Sequence, residues 1–280
     1  PVAQTLKDLS GLVDNLLLLL SDKEKNVIKK RFNLNGKGKF TLEEIGNEFS
    51  VTRERVRQIE KNALFKMRRN VFNTALKSLH EYVVDIVENY GGLVKKDLLF
   101  GELATLISNK EGLHIPSLDL SLVLHDGLDC VGNTIEFFPY IKERSLQDYL
   151  VKNAADQVFG LLSRYGDIKS LAKIHNDLKD FFVENDLDVK KLRSLVHIDK
   201  RLTLVDQDFV ALIEWRHINP RTLRDKILYI LRNEKKPMHF ADIASRISSS
   251  SFDNRTVNVQ AVHNELIRHD GFVLIGRGIY

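Results

Sequence analysis

The chain has 280 residues, of which 43% are hydrophobic and 29% charged, and its net charge at pH 7 is +4. This composition is typical of a folded, water-soluble protein with room for two or more domains. The single cysteine, Cys130, excludes an intramolecular disulfide and a cysteine-rich zinc site. The longest purely apolar run, Leu16–Leu20, is too short to span a bilayer, and no signal-peptide pattern opens the sequence.

Charge is distributed unevenly along the chain. Residues 1–75 contain 15 Lys and Arg against 9 Asp and Glu, and residues 221–280 contain 10 against 6. The intervening residues 76–220 contain 17 against 23 and are therefore acidic. Because neutralised phosphates supply much of the affinity for DNA, the two ends of the chain are suited to nucleic acid and the middle is not.

Residues 41–69, with the sequence TLEEIGNEFSVTRERVRQIEKNALFKMRR, predict a helix-turn-helix. Thr41 and Glu44 have the spacing of a capping box at the start of the first helix. Gly46 is placed where the two helices approach most closely, and Thr52 can cap the second helix. The positions with the spacing of a buried face are Ile45, Phe49, Val51, Val56, Ile59 and Leu64.

The outer side of the second helix carries side chains that can read DNA bases. These are Arg53, Glu54, Arg57, Gln58 and Lys61. Arginine offers a two-pronged donor to guanine, glutamine pairs with adenine, and glutamate can accept from cytosine. A surface helix of mixed charge with no ligand is the competing interpretation.

The segment VTRERVRQIE and the preceding TLEEIG resemble region 4 of the sigma-70 family of bacterial RNA polymerase initiation factors. The resemblance extends upstream through LSDKEKNVIKKRFNL and covers about residues 5–72, roughly a quarter of the chain. It implies that the second helix reads a promoter −35 element. The residues at matching base-contact positions are Arg53, Glu54, Arg57 and Gln58. Those at matching phosphate-contact positions are Arg31, Thr41 and Lys61.

The same resemblance implies the partners of the protein. They are double-stranded promoter DNA and the RNA polymerase core, with the flap of the beta subunit as the docking site and the leucine-rich helix near residues 11–20 as a contributor to the docking face. It also implies a cytoplasmic location at the bacterial nucleoid. In the family a further domain with aromatic side chains melts the −10 element upstream of region 4. This chain lacks it, so we expect the C-terminal part of a larger factor.

About 210 residues follow the helix-turn-helix, whereas the family normally ends soon after it. They show a threefold repeat of helix, helix, helix and two β-rich runs, which is the order of a winged helix. The turns that separate the β-rich runs are Gly132-Asn133, Asp206-Gln207-Asp208 and Gly276-Arg277-Gly278. The expected fold is therefore mainly α, with a helix-turn-helix domain and three tandem winged-helix units with small β-hairpins. The predicted boundaries are 1–75, 76–144, 145–217 and 218–280, with short linkers at 144–147 and 216–221.

The third winged-helix repeat, residues 218–280, resembles the HARE-type winged helix through PMHFADIASRI and VQAVHNELIRHDGFVLIGRGIY. It is the best candidate for a second DNA surface, made of Gln260, His263, Asn264, Arg268 and Arg277. The first repeat (76–144) and the second (145–217) have short third helices and an acidic balance. We interpret these two as spacers or protein-binding modules.

Catalytic motifs are missing from the sequence. The loop Asn35-Gly36-Lys37-Gly38-Lys39 lacks the spacing of a phosphate-binding loop, and the nine histidines form no metal-binding motif. We therefore expect no enzyme activity, no cofactor, no metal and no small-molecule substrate. Promoter recognition as part of a sigma-like factor is the leading interpretation. A protein-interaction adaptor or regulator that docks on RNA polymerase, or the targeting region of a DNA-modifying or restriction system, are the alternatives.

Overall fold

The computed structural model describes residues 1–107, 112–215, 218, 220, 222–250, 252 and 256–280. The fold is mainly helical with small antiparallel sheets, as the sequence predicts. The chain divides into two compact bodies. The first comprises residues 1–156 and 175–199, and the second comprises residues 157–174 and 200–280. The division falls within the second predicted winged-helix repeat.

The first five helices contain the predicted helix-turn-helix. They are α1 (Val2–Lys7), α2 (Leu9–Leu17), α3 (Asp22–Arg31), α4 (Leu42–Glu48) and α5 (Arg53–Val71). Capping boxes begin two of them, with Ser21 and Glu24 at α3 and Thr41 and Glu44 at α4. Since a capping box pairs two otherwise unbonded backbone N–H groups, these local signals explain where the helices start.

The first winged-helix repeat follows directly. It consists of α6 (Leu76–Asn89), β1 (Leu93–Lys95), α7 (Lys96–Thr105), α8 (Ile115–Val123), β2 (Leu128–Val131) and β3 (Tyr140–Glu143). Its sheet has the order β1-β3-β2 and is antiparallel, with Val94 and Cys130 both opposite Ile141. Residues 132–139 lie between β2 and β3, so the predicted tight turn at Gly132-Asn133 is part of a longer loop.

The second repeat contains α9 (Asp148–Tyr165), β4 (Lys169–Ser170), α10 (Leu171–Asp177), α11 (Lys179–Glu184), α12 (Val189–Ile198), β5 (Leu202–Val205) and β6 (Phe209–Leu212). The sheet order β4-β6-β5 repeats that of the first repeat. Asp206 and Gln207 have positive φ angles of 49° and 65° in the turn between β5 and β6, as a tight hairpin requires. Helices α10 and α11 are separated at Leu178, whose side chain is buried.

The third repeat contains α13 (Leu223–Glu234), α14 (Phe240–Ser249) and α15 (Val259–Arg268). Within its described residues the β-rich runs form isolated bridges, His239 with Ile279 and Gly276 with Ile279, in place of a ladder. Gly276 and Ile279 are separated by a two-residue turn, Arg277-Gly278. Residues 216, 217, 219 and 221 of the predicted linker lie outside the described residues. The domain boundaries and the HARE-type assignment stay predictions.

Helix α5 contributes to two hydrophobic cores of the first body. The small core of the helix-turn-helix contains Val27, Ile45, Val56 and Ile59. The second half of α5, with Ala63, Met67 and Val71, belongs instead to a large core that it shares with α1, α2 and the first winged-helix repeat. The helix-turn-helix is therefore continuous with the first repeat through one helix.

The leucine-rich helix α2 is mostly internal. Its residues Leu9, Val13, Leu16 and Leu17 are buried in the shared core, and α2 packs against α8. Two leucines that follow α2, Leu18 and Leu19, are 72% and 49% exposed. The expected contribution of residues 11–20 to an outer docking face is thus reduced to the end of this segment. No helix among the described residues is long and apolar enough to cross a membrane.

Candidate nucleic-acid interface

The start of α4 is held by reciprocal hydrogen bonds. The backbone N–H of Glu44 donates to Thr41 Oγ1 at 3.1 Å, and the N–H of Thr41 donates to Glu44 Oε2 at 2.7 Å. Hydrogen bonding of its carboxylate to the backbone and side chain of Thr41 lowers the pKa of Glu44. The predicted capping box is therefore confirmed, and it orients the first helix of the motif.

The turn between α4 and α5 is tight. The Val51 N–H donates to the Gly46 carbonyl at 2.9 Å, and Ser50 has a left-handed φ of 55°. A β-carbon at Gly46 would lie 2.7 Å from the Val51 carbonyl oxygen. The position predicted to need a small residue is thus the point where α4 meets the turn. Thr52 then caps α5 by accepting from the Arg55 N–H at 3.2 Å.

The four predicted base-contact residues lie exposed on the first two turns of α5, while Val56 and Ile59 on the opposite side are buried. Arg57 donates to Glu54 through two nitrogens, Nε to Oε2 at 2.8 Å and Nη2 to Oε1 at 2.7 Å. This hydrogen-bonded pair lowers the pKa of Glu54 and raises that of Arg57. Glu54 therefore orients the Arg57 guanidinium in the unbound protein.

Gln58 is oriented in a similar way by a residue that sequence reasoning left out. Arg55 Nη1 donates to Gln58 Oε1 at 3.3 Å. The amide oxygen of Gln58 thus accepts from Arg55, and a hydrogen bond from Gln58 also contributes to the lowered pKa of Glu54. Arg55 was detectable in the sequence because it lies three residues before Gln58 on the same helix, a spacing that brings side chains together.

The three predicted phosphate-contact residues have different environments. Lys61 is exposed on α5, and Thr41 is exposed at the cap of α4. Arg31 is turned inward, where Nε donates to Glu60 Oε1 at 3.0 Å and Nη1 donates to the Phe40 carbonyl at 2.8 Å. Arg31 therefore links α3 to α5 and to the loop before α4, and these bonds stabilise the packing of the motif.

Two further cations attach α5 to its surroundings. Lys66 donates to both carboxylate oxygens of Glu24, at 2.8 and 2.9 Å. Arg68 donates to the carbonyls of Val123 and Leu124 at the end of α8, at 2.8 and 3.2 Å, and pairs with Asp126 at 3.1 Å. Because the last carbonyls of a helix have no partner within it, Arg68 of α5 caps the C-terminal end of α8. Such long-range contacts leave no local signal in the sequence.

The third helices of the first two repeats, α8 and α12, pack against other elements of the first body. Residues 117–122 of α8 are buried, and α8 packs against α2. Lys39 of the loop before α4 pairs with Asp119 of α8 at 3.0 Å. The third helix of the second repeat, α12, packs against β1. These helices therefore contribute to the packing of the first body.

The candidate second DNA surface lies on α15 and the hairpin after it. Gln260, Asn264, Arg268 and Arg277 are exposed, and Gln260 Nε2 donates to Asn264 Oδ1 at 3.0 Å. His263 is half-buried and stacks on Phe240, with ring centroids 4.2 Å apart. The structure thus brings three of the five residues to one exposed helix face and turns His263 toward α14. In the described part of the chain no group of three His, Cys, Asp or Glu side chains is placed to hold a metal ion.

The segment that carries this capped motif and its exposed basic face also has a recognisable family signature. Residues 16–69 match the family model of sigma-70, region 4. Over 73 residues the chain is 44% identical to the RNA polymerase sigma factor RpoD of Helicobacter pylori, which covers 26% of this chain and 11% of that protein. Over 69 residues it is 45% identical to the sigma factor SigA of Listeria monocytogenes, covering 25% and 18%.

The region 4 similarity extends beyond bacteria. The chloroplastic sigma factor sigF of Arabidopsis thaliana is 39% identical over 72 residues, covering 26% of this chain and 13% of that protein. The chain therefore spans less than a fifth of the length of these relatives. The region 4 segment contains α3, α4 and most of α5, so the similarity falls on the helix-turn-helix described above.

Proposed function

We propose that this protein binds double-stranded promoter DNA through α5, as the C-terminal part of a sigma-like initiation factor that acts with RNA polymerase. The exposed face of α5 carries the proposal, because Arg53, Glu54, Arg57 and Gln58 lie on a capped helix of a segment similar to sigma-70 region 4. The excess of basic residues in residues 1–75 also favours DNA.

In this mechanism the first turns of α5 enter the major groove of a −35-type element. Arg57 uses two of its five N–H groups on Glu54 and keeps three, enough for a two-pronged contact with guanine O6 and N7. Gln58 offers N–H donors to a base acceptor. Lys61 and Thr41 contact phosphates and set the register, and Arg31 holds α3 against α5.

Fluorescence anisotropy tests base recognition. Duplexes with a −35-type element and with that element scrambled are titrated with the full chain at about 0.15 M salt, where exposed charges are partly screened. A preference of about tenfold, equivalent to about 1.4 kcal/mol, supports base readout. Equal binding with a mild salt dependence contradicts it and favours the adaptor interpretation.

Docking on the RNA polymerase core is the second part of the proposal. Four large apolar side chains of the helix-turn-helix domain are exposed: Leu18 at 72%, Leu19 at 49%, Phe65 at 58% and Phe72 at 66%. Exposed apolar surface of this kind favours a protein contact, and the flap of the beta subunit is the docking site that we propose. The relatives are named RNA polymerase sigma factors, which is consistent with this partner.

Capture of purified polymerase core on the immobilised chain tests this docking. Leu18→Glu should weaken capture by about tenfold or more, because a charge replaces the most exposed of the four apolar side chains. Ile135→Glu is the matched control, since Ile135 is 96% exposed in the loop between β2 and β3 of the first repeat. Equal capture of the wild type and both variants would exclude this surface.

The third repeat is proposed as an auxiliary DNA contact through Gln260, Asn264 and Arg268. Their exposure on one face of α15 and the basic balance of residues 221–280 support this assignment. A location at the nucleoid follows from the proposed function.

A further inference from the structure

A cavity of about 420 Å³ opens between the helix-turn-helix domain and the first winged-helix repeat, inside the first body. Side chains of both domains line it. Arg31 and Lys39 come from the helix-turn-helix domain, and Lys96 stands at the start of α7 in the first repeat. Three cations from two domains therefore meet at one open cavity.

Two carboxylates line the cavity with these three cations, so one positive charge is in excess. Arg31 Nε donates to Glu60 Oε1 at 3.0 Å. Asp119, whose side chain is 9% exposed, is shared by Lys39 at 3.0 Å and by Lys96. One carboxylate neutralises only one of the two ammonium groups, and the side chain of Lys39 is 57% exposed. The cavity is therefore suited to an anion.

The cavity adjoins both residues that the proposed function places on DNA phosphates. Thr41 is two residues beyond Lys39, and Lys61 directly follows Glu60. A DNA strand carries one negative charge for about every 3.4 Å of helix axis. A strand that contacts Thr41 and Lys61 therefore brings its neighbouring phosphates to the mouth of the cavity.

The first repeat contributes a rim without acidic side chains. Residues 131–135 of the loop between β2 and β3, with the sequence VGNTI, are uncharged. Gly132 and Asn133 line the cavity and are exposed. Backbone N–H groups and amide side chains are common phosphate contacts in protein–DNA complexes. A phosphate strand thus meets hydrogen-bond donors and no repelling charge on this side.

We propose that this cavity seats the sugar-phosphate strand that continues from the −35-type element, with Lys39 and Lys96 as phosphate contacts. The inference rests on the proposed function and extends the DNA interface into the first repeat, which by its net charge resembles a spacer. Each ammonium group has three N–H donors, so each lysine can keep its bond to Asp119 and still donate to a phosphate oxygen. Asp119 thereby positions both lysines before DNA binds.

The salt dependence of DNA binding by the full chain tests Lys96. Lys96→Gln removes one phosphate contact, so the slope of log affinity against log salt should fall by about 0.9 and binding at about 0.15 M salt should weaken about fivefold. The scrambled duplex should lose the same factor, because phosphate contacts carry no sequence information. Lys96→Arg should keep the wild-type slope. Lys77→Gln is the matched control, since Lys77 belongs to the same repeat and pairs with Glu81 at 3.8 Å.

Asp119→Asn separates a phosphate contact from an ion pair that only joins the two domains. Removal of the carboxylate leaves both ammonium groups to the DNA, so binding should strengthen by about twofold to fivefold. An ion pair with a structural role alone predicts the opposite sign, because its loss would loosen the helix-turn-helix domain from the first repeat. Amide protection of α8 verifies that the variant is folded.

Duplexes with a single uncharged methylphosphonate linkage locate the contacted phosphate. One such linkage near the −35-type element should weaken binding of the wild type and have no further effect on Lys96→Gln. A preference for the −35-type duplex with an unchanged salt slope in Lys96→Gln overturns this inference and leaves the proposed function intact. Weaker binding by folded Asp119→Asn, or the lack of any linkage coupled to Lys96, overturns it as well. Equal binding to the −35-type and scrambled duplexes counts instead against the proposed function.

Discussion

Replacing Gly46 by alanine should separate the helices of the proposed DNA-binding motif. A β-carbon there would lie 2.7 Å from the Val51 carbonyl oxygen and 3.5 Å from the Arg53 backbone nitrogen. The first distance is shorter than real Cβ contacts, and the atom it meets belongs to the backbone, which cannot rotate away as a side chain can. Gly46→Ala therefore forces α4 away from the turn.

Two opposing contributions set the size of the effect. Alanine is favoured over glycine inside a helix by about 0.5–1 kcal/mol. Overpacking a close contact costs about 1–3 kcal/mol. Gly11 of α2 supplies the matched control, because it is also helical and a β-carbon there would meet nothing within 4 Å. Gly11→Ala should show the gain in helix propensity without the clash, so the two variants should differ by about 1–3 kcal/mol.

Amide hydrogen exchange in α4 and α5 is the appropriate assay. It reports the free energy of local opening, whereas denaturation of a chain with several domains need not follow a two-state transition. Gly46→Ala should speed exchange around Ile45 and Val56 of the small core, and Gly11→Ala should not. Equal protection in the two variants would refute the close approach at Gly46. The same variant should also weaken binding to the −35-type duplex.

Three further outcomes are expected. Arg57→Ala should cost about 1–3 kcal/mol of binding free energy and relax specificity at one base pair. Arg69→Ala, at an exposed arginine farther along α5, is the control. An equal loss of affinity for scrambled duplexes, or an equal loss in Arg69→Ala, would contradict base readout. Burial, with a smaller effect of the His125 charge, lowers the pKa of His80 from 6.5 to about 4. The folded state therefore resists protonation, and the opening free energy of α6 from amide hydrogen exchange should fall by about 2 kcal/mol from pH 7 to pH 5, with a smaller fall in His80→Gln; identical losses would exclude the effect. Arg268→Ala should reduce the salt slope of DNA binding by about one, and an unchanged slope would remove α15 from the DNA interface.

Local features of the helix-turn-helix were predictable because their causes are local. The Thr41–Glu44 capping box and the Thr52 cap depend on residues three positions apart, and both are present. The small residue at Gly46 and the turn at Asp206-Gln207 follow from steric demands that act within a few residues. The overall mainly helical fold follows in the same way from hydrophobic periodicity.

Features that depend on distant residues were not predictable. Arg31 fits the family pattern of a phosphate contact, yet its guanidinium bonds to Glu60, 29 residues away. Arg68 has the appearance of an exposed basic residue and instead caps α8, more than 50 residues along the chain. The sequence of helix α2 is that of an apolar helix open to a partner. The first winged-helix repeat covers it, and nothing in the sequence near α2 indicates that contact. Tertiary packing decides each of these cases.

Because α5 packs in both cores, the first repeat helps to fix the rotation of the DNA-reading side chains about the helix axis. Helix α5 is a rod of 19 residues, about 28 Å long at 1.5 Å per residue. Met67 and Val71 near its C-terminal end pack in the large core, while Arg57 and Gln58 lie in its first two turns beside the small core. One residue added between these ends would rotate the first two turns by about 100° relative to the C-terminal end. The direction in which the base-contact side chains point around the axis of α5 therefore depends on the number of residues between the two cores.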